Sequence, residues 1–109
     1  MKLLIAIVQD QDVSDLSEKL REAGHMFTKL SSSGGFLRSG NTTLLLGAAD
    51  EAVSGLLDLI QKCCKSRKQP APAYTMLSSD YSFALGTPYE VTVGGATVFI
   101  LNVDEFHKF

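Results

Sequence analysis

Cysteine is almost absent: the 109 residues hold two, Cys63 and Cys64, and these are adjacent. Neighbouring cysteines do not normally form a bridge that closes a useful loop, which argues against a disulfide-stapled scaffold. Nor is there a CxxC or HExxH pattern to supply zinc ligands, so the two thiols read as one packed and one exposed residue of a helix. Long apolar runs are also missing. The stretch Leu3 to Val8 falls far short of the roughly 20 residues that cross a membrane, and short of a signal-peptide core, so a cytoplasmic protein without membrane attachment is expected. No basic excess exists: ten Lys and Arg stand against twelve Asp and Glu, a formal net charge of -2. Duplex nucleic acid rewards a broad basic face and is a poor partner for such a chain, whereas a small ligand suits it better. Finally, neither the Gly-Lys-Ser/Thr of a P-loop nor the GxGxxG dinucleotide fingerprint occurs.

Catalytic constellations are equally scarce. His25 and His107 are isolated in sequence, and no nucleophile–base pair can be named, so no enzyme is expected. An acylphosphatase-like activity would need a phosphate-cradling loop after the first strand, where Gln9-Asp10-Gln11-Asp12 is acidic instead. Asp10, Asp12 and Asp15 are favourable at a helix start without any metal, and no metal site is expected.

What is there is an ordinary globular composition. With 45% hydrophobic and 20% charged residues the chain has the material for a core, unlike a disordered segment. Its length fits one domain, residues 1–109, able to bury about two-thirds of its unfolded surface.

Leu3-Leu4-Ile5-Ala6-Ile7-Val8 reads as a first strand covered on both faces or central in a sheet. Val13, Leu16, Leu20 and Ala23 then recur at helical spacing, with Asp10 or Asp12 as cap and Gly24 as stop. Met26 to Leu30 and Thr42 to Gly47 read as two strands flanking a short loop at about 31–41. From Asp50, one helical face carries Val53, Leu56, Leu57, Ile60 and Cys63, and the helix ends near Cys64. Residues 66–88 hold all three prolines and no sustained period, which predicts a long loop of the kind that is functional or disordered. Tyr89 to Val93 and Ala96 to Leu101 alternate about Gly94-Gly95, the signature of a tight hairpin. Asp104-Glu105 opens a last short turn, leaving Phe106 and Phe109 to pack elsewhere.

This order predicts an α+β chain, a ferredoxin-like βαββαβ sandwich with an additional C-terminal hairpin strand. Both helices then lie on one face of the sheet, and the other face needs a cover, which a homo-oligomer supplies.

The chemistry concentrates between Thr28 and Thr43. Glycines there let backbone N–H groups approach phosphate oxygens, Phe36 offers a flat face to a purine, Asn41 has the geometry to pair with an adenine edge, and Arg38 supplies a cation. A hairpin connection with Phe36 packed on the sheet explains the same composition equally well.

The strings Ile5-Ala6-Ile7-Val8-Gln9-Asp10-Gln11-Asp12, Thr28-Lys29-Leu30, Gly34-Gly35-Phe36-Leu37-Arg38, Gly40-Asn41-Thr42-Thr43, Val93-Gly94-Gly95-Ala96-Thr97-Val98-Phe99 and Phe106-His107 stand in the order seen in one family. The chain resembles the PstA-type cyclic di-AMP receptors, also called DarA, trimeric relatives of the PII signalling proteins. The resemblance implies a PII-like homotrimer that binds one cyclic dinucleotide in each intersubunit cleft and signals to an unknown downstream protein. It implies ligand contacts from Thr28, Gly35, Phe36, Leu37, Asn41 and Gly47, with Phe99 a weaker candidate that a place in the core explains equally well, and no cofactor beyond the ligand. Arg38 stays a candidate on its charge alone. Gly24 and Met26 stand where family members carry polar or basic residues, and Lys108 replaces a glutamine. Two other functions remain open: a PII-like sensor of ATP or ADP, which wants several cations converging on a triphosphate, and a protein-interaction module without nucleotide.

Overall fold

The computed structural model describes residues 1–30, 40–70 and 90–109. The elements are β1 (Lys2–Gln9), α1 (Asp10–Glu22), β2 (Thr28–Leu30), β3 (Asn41–Ala48), a 3-10 turn (Asp50–Ala52), α2 (Val53–Cys64), β4 (Arg67–Pro70), β5 (Glu90–Val93) and β6 (Ala96–Asn102). Four strands form one antiparallel sheet in the order β2-β3-β1-β6, while β4 and β5 pair in a separate two-stranded ribbon. The helices, the antiparallel sheet and its strand order are compatible with the ferredoxin-like plan.

Alternation fixes which face of the sheet is buried. Leu4 pairs with Leu46 and Ile100, and Ala6 with Leu44 and Val98, so these residues share one face. Leu4, Ala6, Val8, Leu44, Leu46 and Ala48 on that face are buried against Val13, Leu16 and Leu20 of α1 and Leu56, Ile60 and Cys64 of α2. Val13, Leu16 and Leu20 of α1 and Leu56 and Ile60 of α2 are the core residues that the helical spacings anticipate. Ala23 is exposed instead, Val53 and Leu57 are only half-buried, and Cys64 rather than Cys63 is the thiol packed in the core.

Helix α1 stops by a full hydrogen-bonded motif at Gly24. Its N–H donates to the Arg21 carbonyl at 3.0 Å, the His25 N–H reaches the Leu20 carbonyl at 2.8 Å, and its φ is +82°. That is the left-handed closure which glycine adopts without a Cβ penalty. Gly24 therefore has a structural task in ending α1.

Several expectations are corrected. Neither Asp10 nor Asp12 caps α1: Gln9 occupies the cap position without a side-chain cap bond, and both carboxylates bind elsewhere. The expected strand from Met26 is confined to Thr28–Leu30, and α2 is preceded by the 3-10 turn rather than beginning at Asp50. The stretch 66–88 is not all loop, because Arg67–Pro70 is a strand. Most consequentially, β5 and β6 do not form a hairpin. β5 pairs with β4, and β6 returns to β1 as the fourth strand of the sheet. Gly94 and Gly95 do have positive φ, +82° and +86°, as the hairpin reading requires. Their N–H groups, however, donate to the Gln9 side-chain oxygen and the Cys64 carbonyl instead of closing a two-residue turn. After β6, residues 103–109 form no helix or strand, Asp104 and Glu105 included.

Candidate functional site

The sheet face away from the helices carries the side chains with odd numbers on β1, β3 and β6. The register places Thr28, Leu45, Ile5 and Phe99 in one row across all four strands, with Gly47 and Asn41 on the same face further along β3. Each sequence-predicted site residue among the described ones, Thr28, Asn41, Gly47 and Phe99, therefore lies on one face. Among the described residues much of this face is apolar and only partly covered, although Thr43 on it is buried. Leu3, Ile5, Ile7 and Leu45 are only half-buried, and Leu30, Phe99 and Leu101 are 43%, 45% and 46% exposed.

Thr28 and Gly47 meet in a groove of about 330 Å³ whose walls include Met26, Phe27, Leu45 and Phe106. Its floor is open for a reason visible at Gly47. Among the described residues a Cβ there would meet only the Met1 methyl, at 4.0 Å, so no crowding among them requires a glycine. Glycine inside a strand costs about 0.5–1 kcal/mol relative to alanine, and a missing side chain in a strand marks close approach of something else. Met26, 84% exposed, and Phe106, 64% exposed, present a polarisable thioether and a ring to the same space, surfaces that accept a flat base. Among the described residues no Lys or Arg side chain lines this groove. Met1 lines the groove as well, and its N-terminal ammonium lies 2.9 Å from Asp50. By donating to that carboxyl and attracting its charge, the ammonium holds Asp50 below its ordinary value.

The other predicted residues are not gathered there. Asn41 and Gly47 are six residues apart on β3, or about 20 Å, and Phe99 is three strands from Thr28, or about 14 Å. Gly35, Phe36, Leu37 and Arg38 lie outside the described residues.

A polar junction, built on the residues expected as helix caps, sits where β1 turns into α1. The Asp10 N–H donates to the Gly40 carbonyl at 2.8 Å, and its carboxylate accepts from the Thr42 hydroxyl at 2.5 Å. The Gln9 side-chain oxygen accepts from the Gly94 N–H at 2.7 Å. Asp12, 4% exposed, binds Arg67 at the start of β4, with Nη2–Oδ1 at 2.8 Å and Nη1–Oδ2 at 3.4 Å. Hydrogen bonding to Asp12 raises the Arg67 guanidinium above its ordinary value. The signal for all this is the string Gln9-Asp10-Gln11-Asp12 itself, but its partners are remote in sequence.

Of the two thiols, Cys64 is buried and Cys63 half-buried. Burial pushes the Cys64 thiol up to about 12, and the same cause, with Asp15 nearby, raises Cys63. Neither has the depressed value of a nucleophile. Among the described residues no cluster of three or more His, Cys, Asp and Glu could hold a metal ion, and no helix is long and apolar enough to cross a membrane.

A crystal structure described as a functionally unknown protein from Pediococcus pentosaceus ATCC 25745 is similar throughout. It is 42% identical, with a TM-score of 0.78 over 99% of this chain and 96% of that one. The family model for the cyclic-di-AMP receptor matches residues 1–109. A match over the full length, on a fold whose helix-free face collects Thr28, Asn41, Gly47 and Phe99, places this chain in the cyclic-di-AMP receptor family.

Proposed function

We propose that this protein is a cytoplasmic, PII-like homotrimeric receptor that binds cyclic di-AMP between subunits and signals through its loops to a protein partner. The observation that carries the reading is the single apolar face shared by Thr28, Asn41, Gly47 and Phe99. Within one chain these residues are too far apart to enclose a small ligand, because Thr28 and Phe99 sit on opposite edges of the sheet. Packing the half-buried face of one copy against its neighbours brings the Phe99 edge of one chain towards the Thr28–Gly47 groove of the next. An intersubunit cleft is then the natural place for the ligand.

The groove favours a base over a triphosphate. Its walls are apolar, and no cationic side chain among the described residues lines it, whereas ATP carries a charge that calls for converging Lys and Arg. A cyclic dinucleotide has two bases to stack and only two diester charges. Phe36, Arg38 and the glycines around them complete the site from the segment outside the described residues. Ligand binding alters the surface offered to a partner, with no chemical step.

Thermal unfolding with each candidate ligand tests this reading. A ligand that binds only the folded state raises the midpoint. Cyclic di-AMP at high micromolar concentration is expected to raise it by several degrees, with smaller shifts for cyclic di-GMP and ATP. An equal shift with ATP favours the ATP/ADP sensor, and no shift with any of them favours the interaction module.

A further inference from the structure

We propose that Asp10 is a positioning residue for nucleotide binding: it clamps both neighbours of Asn41 and so fixes the end of β3 on which that amide is presented. The claim rests on the reading of Asn41 as a ligand contact, and adds a residue on the opposite side of the sheet that acts through it.

Gln9 and Asn41 are the last paired residues of the β1–β3 ladder. A strand end at this place frays unless something beyond the ladder holds it. Asp10 does so twice. Its backbone N–H takes the carbonyl of Gly40, immediately before Asn41, at 2.8 Å. Its carboxylate takes the hydroxyl of Thr42, immediately after Asn41, at 2.5 Å.

Strand alternation separates the clamp from the ligand. Thr42 has the parity of Leu44 and Leu46 and faces the helices, while Asn41 has the parity of Leu45 and Gly47 and faces the groove side. Asp10 thus grips the strand from the helix side, opposite the face that carries Asn41. A carboxylate in the first turn of a helix is favourable on dipole grounds alone, but that explains neither its bond to a hydroxyl 32 residues away nor the choice of a residue flanking Asn41.

The test is a set of variants read by cyclic di-AMP affinity and by amide hydrogen exchange of the ligand-free protein. Asp10→Ala and Thr42→Val are each expected to weaken binding by about five- to tenfold, the scale of one lost hydrogen bond, and the double variant by no more than either single one. Asp10→Asn keeps an acceptor for Thr42 and is expected to restore affinity to within about twofold of the unsubstituted chain. In an Asn41→Ala background, Asp10→Ala should have no further effect on affinity. Exchange at the Thr42 amide should quicken by about tenfold in Asp10→Ala, with or without any ligand. Unchanged affinity in Asp10→Ala and Thr42→Val, or a loss that persists undiminished in the Asn41→Ala background, overturns the proposal. If the unsubstituted chain binds no cyclic di-AMP, the proposed function fails, and the exchange rates alone then decide whether Asp10 holds this strand end.

Discussion

The guanidinium of Arg67, on β4, lies 2.8 Å from the carboxylate of Asp12, on α1, and the backbone of Gly94 passes directly over it. A Cβ on Gly94 would come within 2.5 Å of the guanidinium and 2.6 Å of the Lys65 carbonyl. The ion pair and the glycine together hold both strands of the β4–β5 arm to the body of the domain. Arg67→Met leaves a buried carboxylate without its partner, a stronger perturbation than loss of an exposed charge. It is expected to lower the thermal midpoint clearly, whereas Lys68→Met, at an exposed position of the same strand, leaves it nearly unchanged. Gly94→Ala combines a strained φ with a clash and should cost about 1–3 kcal/mol or more. Equal midpoints for all three variants in calorimetry contradict the clamp.

The apolar face opposite the helices makes oligomerisation testable. Leu101 lies on it, 46% exposed and paired with Leu3 of β1. Leu101→Glu is expected to convert a three-chain species to a single chain in light scattering, since a charge at the centre of an apolar interface goes unpaired. It should also abolish binding of a ligand held between subunits. A purified wild-type chain that is monomeric at high micromolar concentration contradicts this part of the account.

Gly47 separates binding from stability. Among the described residues a Cβ at this position has nothing nearer than 4.0 Å. Gly47→Val should therefore leave the fold as stable as before or raise its stability by up to about 1 kcal/mol, since a β-branched residue suits a strand better than glycine. The same methyl groups fill the groove, so cyclic di-AMP affinity should fall at least tenfold, about 1.4 kcal/mol. A destabilised chain with unaltered affinity would reverse the assignment.

Cys64 should resist alkylation in the native state. The residue is 1% exposed and its thiol pushed up to about 12, so at pH 8 roughly one molecule in ten thousand carries the thiolate that reacts. Iodoacetamide at pH 8 is expected to label it only after unfolding in urea, with mass spectrometry as the readout. Rapid native labelling of Cys64 contradicts its place in the core.

Much of the fold is written in local periodicity. The apolar run at Leu3 to Val8 and the helical spacing of Val13, Leu16 and Leu20 are properties of neighbours in sequence, and they lead to β1 and α1. The misreadings concern hydrogen bonds with distant partners. Arg67-Lys68-Gln69-Pro70 has no alternation and ends in proline, so only its pairing with Glu90–Val93 makes it a strand. Gly94-Gly95 announces positive φ correctly, but nothing local says that Gln9 and Cys64 accept its N–H groups. Asp10 and Asp12 look like caps because caps are local, whereas their partners are 32 and 55 residues away. The shared face of Thr28, Gly47 and Phe99 likewise follows from register across four strands, and the place of Phe106 beside the groove from a tail without periodicity.

Titration calorimetry with cyclic di-AMP bears most directly on the central claim. The expected result is saturable binding of one ligand per chain, with cyclic di-GMP and ATP at least tenfold weaker, and loss of the signal in Gly47→Val. No heat from cyclic di-AMP at high micromolar concentration, across two temperatures so that a vanishing enthalpy is not mistaken for absence of binding, contradicts it.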